Sequence, residues 1–401
     1  MSHLTRASAD AKETARSADS LDRYANNSSP LSTRGVTARE RRYGRRRIVS
    51  EVTRMKRVCA CGRVIVGSDA HPGQVGVRRT EDGIVGLAGL ATCGSVWVCP
   101  VCNAKIMSRR ALEIGAAVTT WESRGGRVGF VTMTMRHNAE QSLSLLWDSL
   151  AYGWGKVTAG SQWIKDKDRF GIEGWVRVVE VTRTWANGWH VHVHALVFLA
   201  PGKGEDDLQQ LHGRMFGRWS RALQRRGLDA PLMLGQDARL VDGAADERIA
   251  EYLTKSRDDA TYRIGLEMVH SQSKIARSSF SSMTPWELLT LVDEATDEAE
   301  FLRALAAWHE WEEGSHGRRQ IGWSKGLRDL LGLSVEKTDE EISEEVAGQE
   351  SDTVVYITRT GWASLTRNPV LIGTMLDTLE TLGADALRAF LDTHHIEYED
   401  N

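Results

Sequence analysis

Hydrophobic periodicity divides the chain into a cysteine-rich first part, a mixed central part and a mostly helical last part. Helical spacing over 103–126 ends at Gly125-Gly126, which is typical of a helix C-terminus. The elements predicted after it are, in order, a strand at 127–135, a helix at 138–157 with Asn138 as N-cap, strands at 174–184 and 189–199, a helix at 206–227, a strand at 237–241 and a helix at 246–256. This order favours an α+β fold with an antiparallel sheet over a doubly wound parallel sheet.

The second of the two adjacent strands, 188-GWHVHVHALVFL-199, carries three of the chain's 12 histidines on alternate positions. Alternation puts His190, His192 and His194 on one face and small apolar residues on the other. A half-exposed strand with hydrogen-bonded histidines would explain two of them, but three in register favour a metal site. Two histidines one residue apart can chelate a divalent ion and leave positions open for oxygen ligands.

Glu180 is the candidate third ligand, because Asn187-Gly188 predicts a hairpin that brings its strand beside the histidines. A two-residue turn would point Glu180 to the opposite face. A three-residue loop at 186–188, with Gly188 in the left-handed region, would place Glu180 opposite His194. We predict the second register.

The composition limits the classes of protein to which the chain can belong. Its 401 residues, 41% of them hydrophobic, are enough for two or three domains, and a net charge of −3 indicates no particular partner. We recognise neither an apolar run of membrane-spanning length nor a signal peptide, and we therefore expect a cytoplasmic protein with no membrane partner.

Charge is concentrated in two segments. The basic one, 39-RERRYGRRRIVSEVTRMKR-57, carries nine Lys and Arg and is predicted either to contact backbone phosphates, around Arg41 to Arg47, or to be disordered. The acidic one, 336-EKTDEEISEEVAGQESD-352, is predicted to be a solvated or disordered linker.

The five cysteines are clustered between positions 59 and 102, which in a reducing compartment indicates metal binding and not disulfides. Cys99-Pro-Val-Cys102 can present two thiolates to one tetrahedral ion. The predicted zinc site consists of Cys61, Cys93, Cys99 and Cys102, with Cys59 or His71 as alternatives for one member. Because such a site is closed, we assign it a folding role.

A candidate nucleophile follows in 247-ERIAEYLTKS-256, where Tyr252 shares a helical face with Lys255 and Arg248. Two cations beside a phenol favour the phenolate and could also hold a phosphate. A single tyrosine on a helix is more often an ordinary core residue, so this assignment depends on the histidine strand upstream.

These segments together resemble the rolling-circle plasmid replication initiators (Rep proteins) of actinobacteria, within the HUH endonuclease class. The residues that carry the resemblance are 92-TCGSVWVCPVCNAKI-106, 127-RVGFVTMTMRH-137, 179-VEVTRTWANGWHVHVHALVFL-199, 250-AEYLTKS-256 and 318-RRQIGWSKGLR-328. The resemblance implies an HUH-type antiparallel sheet flanked by helices. It also implies nicking of one strand at a plasmid origin by a tyrosine, giving a 5′-phosphotyrosine bond and a free 3′-hydroxyl that primes synthesis.

Carried over residue by residue, the resemblance places the metal pair of the class on His192 and His194, with His190 as an extra member, and the nucleophile on Tyr252. The expected catalytic ion is Mg²⁺ or Mn²⁺. Related initiators have a carboxylate four residues before the tyrosine, where this chain has Arg248. Glu247 and Glu251 are near but not on the face of Tyr252, which leaves open how the replication cycle ends.

The expected domains are a disordered basic arm, a zinc-ribbon-like module, the HUH endonuclease domain, a helical basic extension, and an acidic linker with a small helical C-terminal region; their ranges are 1–50, 51–108, 109–275, 276–335 and 336–401. The expected partners are origin DNA, as a single strand or cruciform, a host helicase and a DNA polymerase. The alternative function is a zinc-ribbon DNA-binding regulator without catalysis. A metal-dependent oxygenase is a more distant third.

Overall fold

The computed structural model of the protein describes residues 37–67, 71–80, 85–241, 282–344 and 351–401. The first elements are α1 (Ala38–Val52), α2 (Lys56–Ala60), β1 (Val75–Thr80), β2 (Val85–Ala88), α3 (Pro100–Ser123), β3 (Arg127–Met133), α4 (Leu143–Val157), α5 (Gly160–Phe170), β4 (Ile172–Thr184), β5 (Gly188–Leu199), α6 (Glu205–Arg225) and β6 (Asp237–Leu240). The later ones are α7 (Pro285–Glu294), α8 (Glu298–Ser315), β7 (Ile321–Trp323), α9 (Leu327–Leu330), α10 (Asp339–Glu344), β8 (Ser351–Ile357), α11 (Arg359–Arg367), α12 (Val370–Leu382), α13 (Ala384–Thr393) and β9 (Tyr398–Asp400).

These elements form two compact units. Among the described residues, the first unit consists of 37–112 and 337–401, and the second consists of 113–241 and 282–336. Both units contain antiparallel sheets and helices, which confirms the predicted α+β class.

The first unit is built on a four-stranded antiparallel sheet with the strand order β2-β1-β8-β9. Strand β1 therefore pairs with a strand from the other end of the chain. Its core joins residues of α1, the sheet and the three last helices, among them Tyr43, Val75, Val355, Trp362, Ile372 and Leu387. The C-terminal region, expected to be helical, thus also supplies two strands to this sheet.

Helix α1 lies within the segment that was expected, from its composition, to be a disordered arm. Three of its arginines, at positions 39, 42 and 46, are buried. Arg39 is 2.6 Å from Asp377 and 2.9 Å from Glu380 on α12, so acidic partners from a distant segment neutralise it. The helices approach closely at Gly373, where a Cβ would lie 2.7 Å from the Cα of Glu40. Residues 38–50 are therefore a helix of the folded unit, contrary to the expected disorder.

The acidic segment that was expected to be solvated also contributes structure. It contains α10, whose Ile342 and Ser343 are buried. The Ser343 carbonyl accepts a hydrogen bond from Lys105 at 2.8 Å, and Asp339 lies 3.1 Å from Arg110. Residues 339–344 are therefore ordered by apolar burial and by cations on α3.

The second unit contains a five-stranded antiparallel sheet with the order β6-β3-β5-β4-β7. The face that carries Trp189 packs against α8, where Trp311 stacks on it with 5.7 Å between ring centroids. The opposite face carries the histidines, and near its far end Trp121 of α3 contacts Phe198. The histidine strand β5 is central, paired on both sides.

One local prediction differs from the structure. Helix α4 begins at Leu143 with Ser142 as N-cap, and not at the predicted Asn138. The Asn138 side chain instead accepts a hydrogen bond from the backbone N–H of Glu140, which forms a local turn and delays the helix. At the start of α7, the Glu287 side chain accepts a hydrogen bond from the Thr284 backbone N–H, as in a capping box.

Candidate metal centre and comparisons with known proteins

The β4–β5 hairpin brings Glu180 onto the histidine face, but in a different register from the one predicted. Glu180 pairs with His192 and not with His194, because the loop consists of residues 185–187 and Thr184 pairs with Gly188. The Thr184 hydroxyl accepts a hydrogen bond from the Asn187 N–H at 2.9 Å, which closes the loop one residue earlier than expected. The predicted pairing was wrong by two positions, a shift that preserves the face.

Three ligand atoms meet on this face. Glu180 Oε2 is 3.0 Å from His192 Nε2 and 2.8 Å from His194 Nε2, and the two nitrogens are 2.9 Å apart. Neighbouring ligands of an octahedral ion with bonds of about 2.1 Å lie about 3.0 Å apart, whereas those of a tetrahedral ion with the same bonds lie about 3.4 Å apart. The spacing therefore fits one face of an octahedron, and the group could hold a divalent metal ion. We call these residues the metal triad.

The surroundings orient the triad. His194 Nδ1 lies 3.1 Å from the Thr132 hydroxyl on β3. With its proton on Nδ1, His194 would donate to this hydroxyl and present Nε2, beside Glu180 and His192, as the metal-binding nitrogen. Phe130 stacks on the same imidazole at 5.3 Å. Among the described residues no protein group hydrogen-bonds the buried Nδ1 of His192. Thr132 was not singled out from the sequence, although it belongs to the alternating threonines of 127-RVGFVTMTM-135.

The histidines of this face are neutral at pH 7. Burial lowers the pKa of His192 to about 4, and it lowers the pKa of His194 well below its ordinary value. An imidazole must be unprotonated to bind a metal, so both rings are ready ligands near neutral pH.

His190 lies beside the metal triad but makes other contacts. Its Nδ1 is 2.8 Å from Nε2 of His137, whose Nδ1 donates to the Asn187 carbonyl at 2.9 Å. Since that carbonyl can only accept, His137 Nε2 accepts the proton of His190 Nδ1. Burial lowers the pKa of His190 to about 2. Sequence reasoning missed His137, although it lies within a segment that carries the family resemblance.

The four predicted zinc ligands lie together in the first unit. Cys61 Sγ is 3.7 Å from Cys99 Sγ and 3.6 Å from Cys102 Sγ, which is 3.6 Å from Cys93 Sγ. Thiolates bound to one zinc ion at about 2.3 Å lie about 3.8 Å apart, so this buried group could hold a tetrahedral ion. Of the two alternatives, Cys59 contacts the Ser50 carbonyl and His71 stacks on Tyr356.

The sulfur atoms share protons unevenly. Hydrogen bonding to Cys102, together with burial, raises the pKa of Cys93 and of Cys99. Hydrogen bonds from Cys61, Cys93 and Cys99 lower the pKa of Cys102 well below its ordinary value. A bound cation would favour the thiolate form of all four cysteines, because its positive charge offsets the repulsion between their negative charges.

The predicted nucleophile and its neighbours, Tyr252, Lys255 and Arg248, lie outside the described residues, as do Glu247, Glu251 and Tyr262.

The sequence of the site region is shared with known proteins. Residues 87–227 match a family described as "Replication protein", and this range includes the metal triad and Cys93, Cys99 and Cys102. The chain is also 30% identical over 353 residues to "Protein rep" of Streptomyces lividans, with 73% of this chain and 76% of that protein covered. The chain belongs to the Rep family of plasmid replication proteins.

Membership of the Rep family confirms the resemblance to initiators of the actinobacterial type, and supports a role in starting plasmid replication on origin DNA. A shorter similarity, 34% identity over 145 residues, relates 30% of the chain to 33% of a "Neomycin resistance protein" of Streptomyces cyanogenus. No solved structure matches the chain. Within the described residues, none of the helices combines the length and apolar character needed to span a membrane.

Proposed function

We propose that this Rep protein is an HUH-class endonuclease that nicks one strand at a plasmid origin. The observation that carries the proposal is the metal triad, two neutral histidines and a carboxylate whose ligand atoms lie 2.8–3.0 Å apart on a sheet face. Mixed nitrogen and oxygen ligands with octahedral spacing suit Mg²⁺ or Mn²⁺. Such an ion, when bound, would stabilise negative charge on a phosphate oxygen.

The covalent step uses Tyr252. Its phenolate oxygen attacks the scissile phosphorus and forms a 5′-phosphotyrosine bond, while the bond from phosphorus to the 3′-oxygen breaks. The leaving 3′-oxygen takes up a proton and becomes the hydroxyl that primes synthesis. Lys255 and Arg248, on the same predicted helical face, would favour the phenolate and contact the phosphate.

The remaining assignments complete the proposal. Zn²⁺ held by Cys61, Cys93, Cys99 and Cys102 would stabilise the first unit without taking part in catalysis. The partners would be the origin, as a single strand or extruded cruciform, and the host helicase and polymerase that extend the new 3′ end. All of this would take place in the cytoplasm, where the plasmid replicates.

The test is incubation with supercoiled origin plasmid and Mn²⁺. The wild-type protein should yield an open circle covalently attached to protein. Tyr252→Phe should bind the origin almost normally and form no adduct, since the variant keeps the ring and loses only the attacking oxygen. Tyr262→Phe, a change of the same kind ten residues away, is the matched control and should nick fully.

Mass spectrometry of the trapped peptide–oligonucleotide identifies the nucleophile. An adduct on Tyr262, or full nicking by Tyr252→Phe, would contradict the assignment. Origin binding by the wild-type protein without any covalent product would instead favour the alternative, a zinc-ribbon DNA-binding regulator.

A further inference from the structure

The tip of the β4–β5 hairpin carries an aromatic side chain between two arginines. The Arg303 guanidinium carbon of α8 lies 3.9 Å from the ring centroid of Trp185, and that of Arg183 lies 4.5 Å from it. Arg183 also lies 5.3 Å from the centroid of Trp189, the buried residue directly across the hairpin. Trp185 is half-buried and Arg303 is exposed, so this arginine–tryptophan stack (Arg183, Trp185 and Arg303) is accessible to solvent.

The positive charge of the stack is incompletely balanced. Among the described residues, Nε and Nη1 of Arg183 are buried without a hydrogen-bond partner. Burial lowers the pKa of Arg183, and the positive charge of Arg303 lowers it further, whereas the nearby Glu310 opposes the shift. One Glu310 oxygen already accepts the Leu143 N–H at 3.0 Å. Arg183 therefore lies near one cation and one carboxylate, and buried guanidinium donors without partners are costly unless an anion supplies acceptors.

The stack is close to the metal triad along the strands. Arg183 and Trp185 follow Glu180 by three and five residues, which corresponds to roughly 10 and 17 Å at about 3.3 Å per residue. His137 contacts the hairpin loop that carries Trp185, through a hydrogen bond from its Nδ1 to the Asn187 carbonyl. Arg183 pairs with Trp189 and therefore lies on the sheet face opposite the metal triad, so a strand of DNA held at the triad would reach the stack by crossing the hairpin tip, within a few nucleotides.

We propose that the arginine–tryptophan stack binds single-stranded DNA beside the nick site, with the guanidinium edges on a backbone phosphate and a base stacked on the outer plane of Arg303, beside Trp185. An unpaired base is required because aromatic and guanidinium planes bind the faces of bases, which a duplex conceals. The inference deepens the proposed nicking function and rests on it.

The test measures binding of fluorescein-labelled dT20 by anisotropy at several salt concentrations, without added Mn²⁺, so that no nicking is needed. Arg303→Gln should weaken binding and reduce the slope of log K against log salt by about 0.7, the value for one single-strand phosphate contact. Trp185→Ala should lower the affinity roughly 10-fold or more with little change of slope, because it removes stacking and no charge. Arg303→Lys should keep the slope and lose part of the affinity.

Arg226→Gln is the matched control. Arg226 is also an exposed arginine over an aromatic ring, at 5.9 Å from the centroid of Tyr152, but lies at the end of α6. Its removal should leave affinity and slope unchanged. Circular dichroism and thermal unfolding of each variant establish that the fold is intact.

A second measurement locates the base. Photo-crosslinking of an oligonucleotide that carries 5-iododeoxyuridine should give a Trp185 adduct by mass spectrometry. Unchanged affinity and slope in both Arg303→Gln and Trp185→Ala, or crosslinks that avoid Trp185, would overturn the inference. The dT20 assay does not depend on nicking. A failure of the nicking proposal would therefore show only in the plasmid assay, as the absence of a covalent product, and would leave the dT20 results unchanged.

Discussion

Replacing Glu180 by glutamine should separate metal binding from folding in the second unit. The amide keeps the size of the side chain and one acceptor oxygen, but it removes the negative charge that lies 2.8–3.0 Å from both histidine nitrogens. Even partners that contact ligands indirectly contribute about 10–100-fold to metal affinity. We therefore expect the directly placed carboxylate to contribute at least about 100-fold.

The size of the effect can be worked out by linkage. At an Mn²⁺ concentration of about 100 times the wild-type Kd, binding stabilises the folded protein by about 2.7 kcal/mol. A 100-fold weaker Glu180→Gln variant would then be at its own Kd and gain only about 0.4 kcal/mol. Since about 1 kcal/mol shifts the Tm of a domain of roughly 150–250 residues by about 2–4 °C, the Mn²⁺-dependent rise should fall from about 5–10 °C to about 1–2 °C.

The assay is thermal unfolding with and without Mn²⁺, in the absence of chelators so that the cysteine site is undisturbed. Thr132→Val, which removes the hydroxyl 3.1 Å from His194 Nδ1, should weaken the Mn²⁺ effect by about 10–100-fold in apparent affinity. Thr182→Val is its matched control, because Thr182 lies on the same face but pairs with His190 and with neither histidine of the metal triad. An Mn²⁺ shift of wild-type size in Glu180→Gln would refute the triad as an ion site.

Three further predictions concern other parts of the protein. Cys99→Ser should release about one zinc per chain and lower thermal stability, whereas Cys59→Ser should keep the metal; unchanged metal content in Cys99→Ser would contradict a four-cysteine site. Arg39→Ala should lower the free energy of unfolding by about 3–5 kcal/mol, because it leaves the buried Glu380 carboxylate, 6% exposed, without its cation. Arg47→Ala, which removes one member of an exposed ion pair, should lower it by only about 0.3–0.5 kcal/mol. Equally small losses for the two variants in urea unfolding would mean that the buried ion pairs of α1 do not stabilise the unit. Without metal, the stability should fall as the pH drops from 6.5 towards 4, because His192 takes up a proton near its ordinary pKa in the unfolded chain but only near a pKa of about 4 in the folded chain. This residue should contribute a slope of up to about 1.4 kcal/mol per pH unit, which should be missing in His192→Gln. Identical slopes for the two proteins would contradict the buried, neutral imidazole.

Local patterns predicted the hairpin and the face of its candidate metal ligands, because both depend on alternation and on one turn. Alternation places His192 and His194 on one face in any register, and a shift by two residues leaves Glu180 on that face. The exact pairing depends instead on contacts of the loop. Gly188 has φ +74°, and a Cβ there would lie 2.9 Å from the Cα of Ala139, so the β3–α4 loop helps to fix where the hairpin closes. No short-range signal carries that information.

Pairing between segments far apart in the chain could not be predicted from local sequence patterns. The composition of α1 indicates a solvated arm, because the acidic residues that neutralise Arg39 lie more than 300 residues further along the chain. Strand β8 likewise follows a run of acidic residues, and its pairing with β1 depends on a core that both ends of the chain build together. Composition describes average solvation, whereas burial of a charge depends on one specific partner.

The two candidate metal sites differ in ways that would let each select its own ion. The cysteine group offers four soft sulfur ligands, all at most 4% exposed, at spacings that suit a small tetrahedral ion, and it leaves no position open for substrate. The metal triad offers two nitrogens and one hard oxygen with octahedral spacing, on side chains that remain 7–15% exposed. Softer thiolates favour zinc, whereas a carboxylate and water-accessible positions favour Mg²⁺ or Mn²⁺. In the proposed function, a structural ion bound with the fold and a catalytic ion that exchanges with solvent would therefore coexist without competing for the same ligands.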